Sequence, residues 1–143
     1  MKKFFLIILI FFNLFASVEN IEREIYSTII KSIFPKKETV KIWVDDNKKV
    51  SIFKKIDFAK ITDNYENSDI LFIFHEKSLK DIKTDKIIIF VGKYSLIKNY
   101  QNRVIGGFFW QKGRPNIIFL RKNLQKFNIS LPKEFNKYIE DRV

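Results

Sequence analysis

The sequence predicts an α/β fold: a single compact domain on a mixed, partly parallel sheet of about five or six strands, with short helices on its faces and a C-terminal edge hairpin. Three observations lead there. Ile70–Phe74 and Ile87–Val91 are continuous apolar runs of strand length bounded by polar residues, the pattern of central strands covered on both faces. Glu76–Ile82 between them reads as a helical turn, and strand alternating with short helix is what crossovers between parallel strands require. Near the C-terminus, Val104–Gln111 and Pro115–Leu120 flank Lys112-Gly113, a tight turn whose Gly tolerates positive φ, which predicts a hairpin.

The remaining elements follow in chain order. From Asn20, which can cap a helix start, Ile21, Ile25, Ile29 and Ile33 recur every four residues among charged ones, predicting an amphipathic helix that stops at Phe34-Pro35. Thr39–Asp45 alternates, with Val40, Ile42 and Val44 on one face and Lys41 and Trp43 on the other, so it reads as a strand, and Asp45-Asp46-Asn47 as the turn after it. Val50–Thr62 fits neither period cleanly and reads as a short helix followed by a short strand. Tyr94–Asn99 reads as another short helix. Pro115, near the start of the second hairpin strand, places that strand at an edge. Arg121–Phe127 and Pro132–Asp141 are expected to close the chain as helices, the second turning Phe135, Tyr138 and Ile139 inward.

The first residues have the layout of a secretory signal peptide: Lys2-Lys3, an apolar run from Phe4 to Phe12, then Leu14, Phe15 and the small residues Ala16 and Ser17. We therefore expect residues 1–17 to be a leader and residues 18–143 a periplasmic α/β domain. An uncleaved anchor is the competing reading, but the run falls short of the roughly 20 apolar residues that cross a bilayer as a helix. After cleavage the domain is not itself transmembrane. No cysteine follows the run, which excludes a lipoprotein anchor.

Composition narrows the chemistry. With no cysteine anywhere, disulfides, thiolate metal sites and cysteine nucleophiles are excluded. A single histidine cannot supply the three or four N or S ligands of a zinc site, and Asp45-Asp46 lacks the glycine and distal Glu of a calcium loop, so no metal or other cofactor is expected. The net charge of +11 is spread along the chain rather than gathered in one run. An exported protein rarely meets nucleic acid, so the charge points instead to anionic surfaces or acidic partners.

In a parallel sheet ligands sit beyond the carboxyl ends of the strands, which here carry Asp45, Asp46, His75, Glu76, Gly92, Lys93, Tyr94 and Ser95. These residues are the candidate ligand-binding set. Gly92, Lys93 and Ser95 at a helix start could hold a small anion through free N–H groups. The more ordinary reading of all eight is loop residues chosen for turns and solubility. His75 could act as a general base, but no Ser or Cys nucleophile elbow accompanies it, so no catalytic residue is assigned. The hairpin has apolar residues on both faces, Val104, Phe108 and Trp110 against Ile105 and Phe109. Its surplus aromatic area makes Phe108, Trp110 and Arg114 the candidate partner-binding set; cover by the chain's own closing helix is the alternative.

Ser68-Asp69-Ile70-Leu71-Phe72-Ile73, the run Lys86–Gly92, the Gly106-Gly107 strand, the Lys112-Gly113 turn and Asn128-Ile129-Ser130-Leu131 before the last element resemble the YfiR-like family of small periplasmic proteins. The resemblance implies a compact α/β domain that binds a membrane-anchored signalling enzyme, typically a diguanylate cyclase, and holds it inactive. Control through thiols does not carry over, since the chain has none. The expected function is thus a non-enzymatic periplasmic regulator or sensor partner of a membrane-anchored cyclase or histidine kinase. A small solute-binding domain for an anion or polar metabolite is the alternative.

Overall fold

The computed structural model describes residues 14–143, and side chains from Val18 onward. Helix α1 (Leu14–Ile33) leads into strand β1 (Val40–Val44), helix α2 (Asn47–Lys54) and strand β2 (Ala59–Ile61). A 3₁₀ turn at Tyr65–Asn67 precedes β3 (Ile70–Ile73), α3 (Glu76–Asp81), β4 (Ile88–Val91) and α4 (Tyr94–Asn99). The hairpin β5 (Gly106–Gln111) and β6 (Arg114–Leu120) follows, then α5 (Arg121–Lys126), a 3₁₀ segment Lys133–Tyr138 and β7 (Ile139–Glu140).

These strands form one seven-stranded sheet in the order β2-β1-β3-β4-β5-β6-β7. β1 to β5 run parallel, β6 is antiparallel to β5, and β7 is parallel to β6. The expected α/β class and mixed sheet are what the chain forms, with seven strands in place of five or six. The additional strand is β7, a two-residue piece where a helix was expected. Its 3₁₀ lead-in turns Phe135 into the core but leaves Tyr138 and Ile139 half-buried. β7 covers only Phe119 and Leu120 of β6, so the half of β6 that carries Pro115 is still an edge.

Each face of the sheet has its own core. On one face Tyr26, Ile29 and Ile30 of α1 and Ile52 and Phe53 of α2 pack on Ile42, Phe72, Phe90, Phe108 and Phe119. Tyr26 is the hub, with ring centroids 4.6 Å from Phe53, 5.4 Å from Phe72 and 5.3 Å from Phe108. On the other face Leu79 of α3 and Leu96 and Ile97 of α4 cover Leu71, Ile73, Ile89 and Val91. Both faces of β3 and β4 are thus buried, which is why their sequences are apolar without alternation.

Three local expectations need correction. The first helix does not start at Asn20: α1 runs through it from Leu14 and so includes residues 14–17 of the expected leader, whose remainder, residues 1–13, lies outside the described residues. The Asp45-Asp46-Asn47 turn is a helix start, with Asp46 accepting the Lys48 N–H at 2.8 Å as the N-cap of α2. The hairpin's alternation changes phase at Gly106: Ile105 sides with Phe108, and Val104 with Phe109, because residues 104 and 105 lie before the strand begins.

Candidate functional site

The strand order 2-1-3-4-5 puts the reversal in connection direction between β1 and β3, where doubly wound sheets open a crevice at their carboxyl ends. Asp45 and Asp46 leave β1 there and His75 leaves β3, so the sheet brings the sequence-predicted residues side by side. They are occupied with one another. The Asp45 carboxylate accepts the Phe74 N–H at 2.7 Å and the His75 N–H at 3.0 Å, the backbone donors an anion in that crevice would use. Asp46 Oδ2 lies 3.1 Å from His75 Nε2. Burial pushes the Asp46 carboxyl up, but the Lys48 N–H, the His75 ring and the Lys49 N–H together outweigh it and hold the group below its ordinary value.

Next to His75, at the start of α3, Glu76 accepts the Tyr100 hydroxyl at 3.1 Å. Partial burial, followed by the donation to Glu76, raises that phenol above its usual range. Gly92 spends its N–H on the Ile73 carbonyl at 2.9 Å, so it is not a free donor for an anion. A Cβ at Gly92 would run into the Phe74 ring, which accounts for the glycine without any ligand. Lys93 and Ser95 are exposed, and Tyr94 lays its ring against Phe109, centroids 5.4 Å apart. Asp45, Asp46, His75 and Glu76 thus satisfy one another or their neighbours, and α4 behind Lys93 is only six residues long.

A second region has the opposite character. Between α1 and the hairpin lies a groove of about 720 Å³, floored by Pro115 and Ile117 of β6 and walled by Val18, Ile21 and Ile25 of α1. Phe135 and Tyr138 of the 3₁₀ segment form the far wall, and Trp110 stands at one end. The geometry of α1 explains why this apolar surface is left over. An apolar residue every four positions on a helix of about 3.6 residues per turn drifts by roughly 40° per step, so the isoleucine stripe winds around the helix. Ile29 and Ile33 end in the core, where Tyr26 and Ile30 complete the inward face, while Ile21 and Ile25 rotate out and line the groove half-buried.

Trp110 is 37% exposed and Val18 39%, two of the three large apolar side chains on the described surface. The indole is held in place: its Nε1–H donates to Glu22 Oε2 at 3.1 Å, and its ring lies 5.9 Å from Phe108. Glu22 is itself 5% exposed and also accepts from Lys49 Nζ at 3.2 Å, so one buried carboxylate ties α1, α2 and the hairpin together. Of the predicted partner set, Trp110 and Arg114 are at the surface, but Phe108 is 2% exposed and belongs to the core beneath α1.

Comparison with family models, curated proteins and solved structures finds no match. Function therefore has to be argued from these two regions. At the strand-end rim the Phe74, His75 and Gly92 N–H groups are all taken by the protein's own oxygens. The groove offers unfilled apolar surface within the 300–1,000 Å³ range of ordinary binding sites, with a rigidly seated Trp beside it. Sequence reasoning missed Glu22 because a Glu one residue after an isoleucine reads as the solvated side of a helix; only the register of α1 against the hairpin turns it inward. Among the described residues no three His, Asp or Glu side chains gather as metal ligands, and no helix is long and apolar enough to cross a membrane.

Proposed function

We propose that this chain is a non-enzymatic periplasmic regulator that binds a membrane-anchored signalling protein, a cyclase or histidine kinase, and that the groove between α1 and the hairpin is where it does so. One observation carries the reading. The apolar stripe of α1 is wider than the core needs, and its surplus, Val18, Ile21 and Ile25, faces Trp110, Pro115 and Ile117 across an unfilled groove. Interface anchors are enriched in Trp and Arg seated on a rigid scaffold, and Trp110 and Arg114 flank the Lys112-Gly113 turn in that manner. The family resemblance from Ser68 onward and the leader-like first residues support the same compartment and partner class.

Capture from detergent-solubilised membranes tests it. The wild-type domain should retain a membrane-anchored cyclase or kinase, and Arg114→Glu, which alters an exposed side chain, should retain much less with an unchanged melting temperature. Equal retention by Arg114→Glu and Trp110→Ala, or retention of soluble proteins alone, would contradict the assignment.

A further inference from the structure

Part of the outer edge of β6 has no strand beside it. Leu120 N–H donates to Ile105 C=O at 2.8 Å, and backbone groups alternate sides along an antiparallel strand. Arg114, Asn116, Ile118 and Leu120 therefore direct theirs at β5, and Pro115, Ile117 and Phe119 direct theirs outward. β7 takes Phe119 and Leu120 alone. Among the described residues this leaves the Ile117 N–H and C=O and the Pro115 C=O without a ladder partner. Pro115 falls on the outward row, where its missing N–H costs the β5 ladder nothing.

The free edge coincides with the groove, since Pro115 and Ile117 also form the groove floor. Charge points to the occupant. Lys137 lines the groove, and Lys112, Arg114 and Lys133 are chain neighbours of its lining residues Gly113, Pro115, Pro132 and Glu134; none of the four forms an ion pair among the described residues. Only Glu24 and Glu134 oppose them in the lining.

We propose that the outer edge of β6 receives an extended segment of the protein partner as an added strand, its alternate apolar side chains entering the groove and acidic residues beside them meeting Lys112, Arg114, Lys133 and Lys137. The inference rests on the partner reading above and supplies the form and charge of the segment. A few backbone groups fix the register of such a strand, and the pockets for alternate side chains select its sequence. Because Pro115 cannot donate, the added ladder is short, and the groove contributes most of the affinity.

A phage-displayed library of random peptides about twelve residues long, panned on the purified chain, tests this. Enriched peptides should alternate apolar and polar residues and carry Asp or Glu beside the apolar positions. Synthetic copies should slow hydrogen exchange at the Ile117 amide. N-methylation at every second residue should weaken binding by roughly tenfold or more in one phase and spare it in the other, because only one row of amides faces the edge. Apolar spacings of three and four with no phase dependence would mean a helix in the groove and overturn the proposal. So would a library with no enrichment, or a solution dimer that itself protects Ile117. A membrane partner that is captured but not displaced by the peptides would refute this binding mode and leave the partner reading standing; peptides that bind as described while no membrane protein is captured would do the reverse.

Discussion

Asp46, one of the candidate ligand-binding residues, has a structural role of its own in the fold. It caps α2 through the Lys48 N–H and pairs with His75, and those donors hold its carboxyl below the ordinary range. Replacing a capping Asp by Ala costs about 1 kcal/mol, and Asn, itself a good cap, costs less. We expect that order from denaturant unfolding of Asp46→Ala and Asp46→Asn at neutral pH. Since the folded-state value is depressed, the charge contributes stability above the ordinary carboxylate range and loses it as pH falls through the folded-state value. The gap between wild type and Asp46→Asn should therefore close on acidification; a gap that widens would contradict the charge assignment. Neighbouring Asp45 was legible as a strand-end residue, but a carboxylate that serves its own backbone and one that awaits a ligand look identical in sequence. The contacts with Phe74 and His75 come from a strand roughly 30 residues away.

At the scale of elements, α1 is the informative case. Its existence and its stop at Phe34-Pro35 were readable from the isoleucine repeat, yet the repeat overstated the core face, because equal spacing of four does not follow the helix turn. Ile29, fully buried, should cost about 2–5 kcal/mol when cut to Ala, whereas Ile21 and Ile25, which face the groove, should cost about 1 kcal/mol or less. Melting curves of the single variants check this, and equal losses would mean that the groove is closed in solution. The hairpin supplies the matching case. Trp110→Ala removes a hydrogen bond to a buried carboxylate and about two thirds of a Trp's burial, so a loss of about 2 kcal/mol is expected, less than for a core aromatic. Lys112 and Gly113, with φ of 52° and 74°, form the turn that the Lys-Gly pair promised. β7 escaped the sequence reading because two residues carry no period, and its pairing to Phe119 depends on where the preceding 3₁₀ segment ends.

Over the whole molecule, two cores share one sheet, and the seam lies at Gly106, where the parallel strands give way to the hairpin. A Cβ there would collide with the Ile118 carbonyl oxygen and the β6 backbone, which cannot yield as a side chain would. Gly106→Ala should therefore disrupt both faces together, seen as simultaneous loss of near-UV and far-UV circular dichroism signals, while Gly113→Ala at the open turn should stay folded with a modest loss from its positive φ. The parallel centre was legible because burial on both faces writes itself into β3 and β4 as unbroken apolar runs. The groove was not, since an unfilled surface depends on how α1, β6 and the 3₁₀ segment pack, and no local pattern records that.

The claim that the groove side, rather than the strand ends, meets the partner can be put to one direct measurement: photo-crosslinking in living cells from p-benzoylphenylalanine placed at Arg114 or at Lys93, both exposed positions. The account predicts an adduct with a membrane-anchored signalling protein from Arg114, diminished by a second substitution of Ile21 to Glu in the groove wall, and none from Lys93. An adduct from Lys93 without one from Arg114 would contradict it.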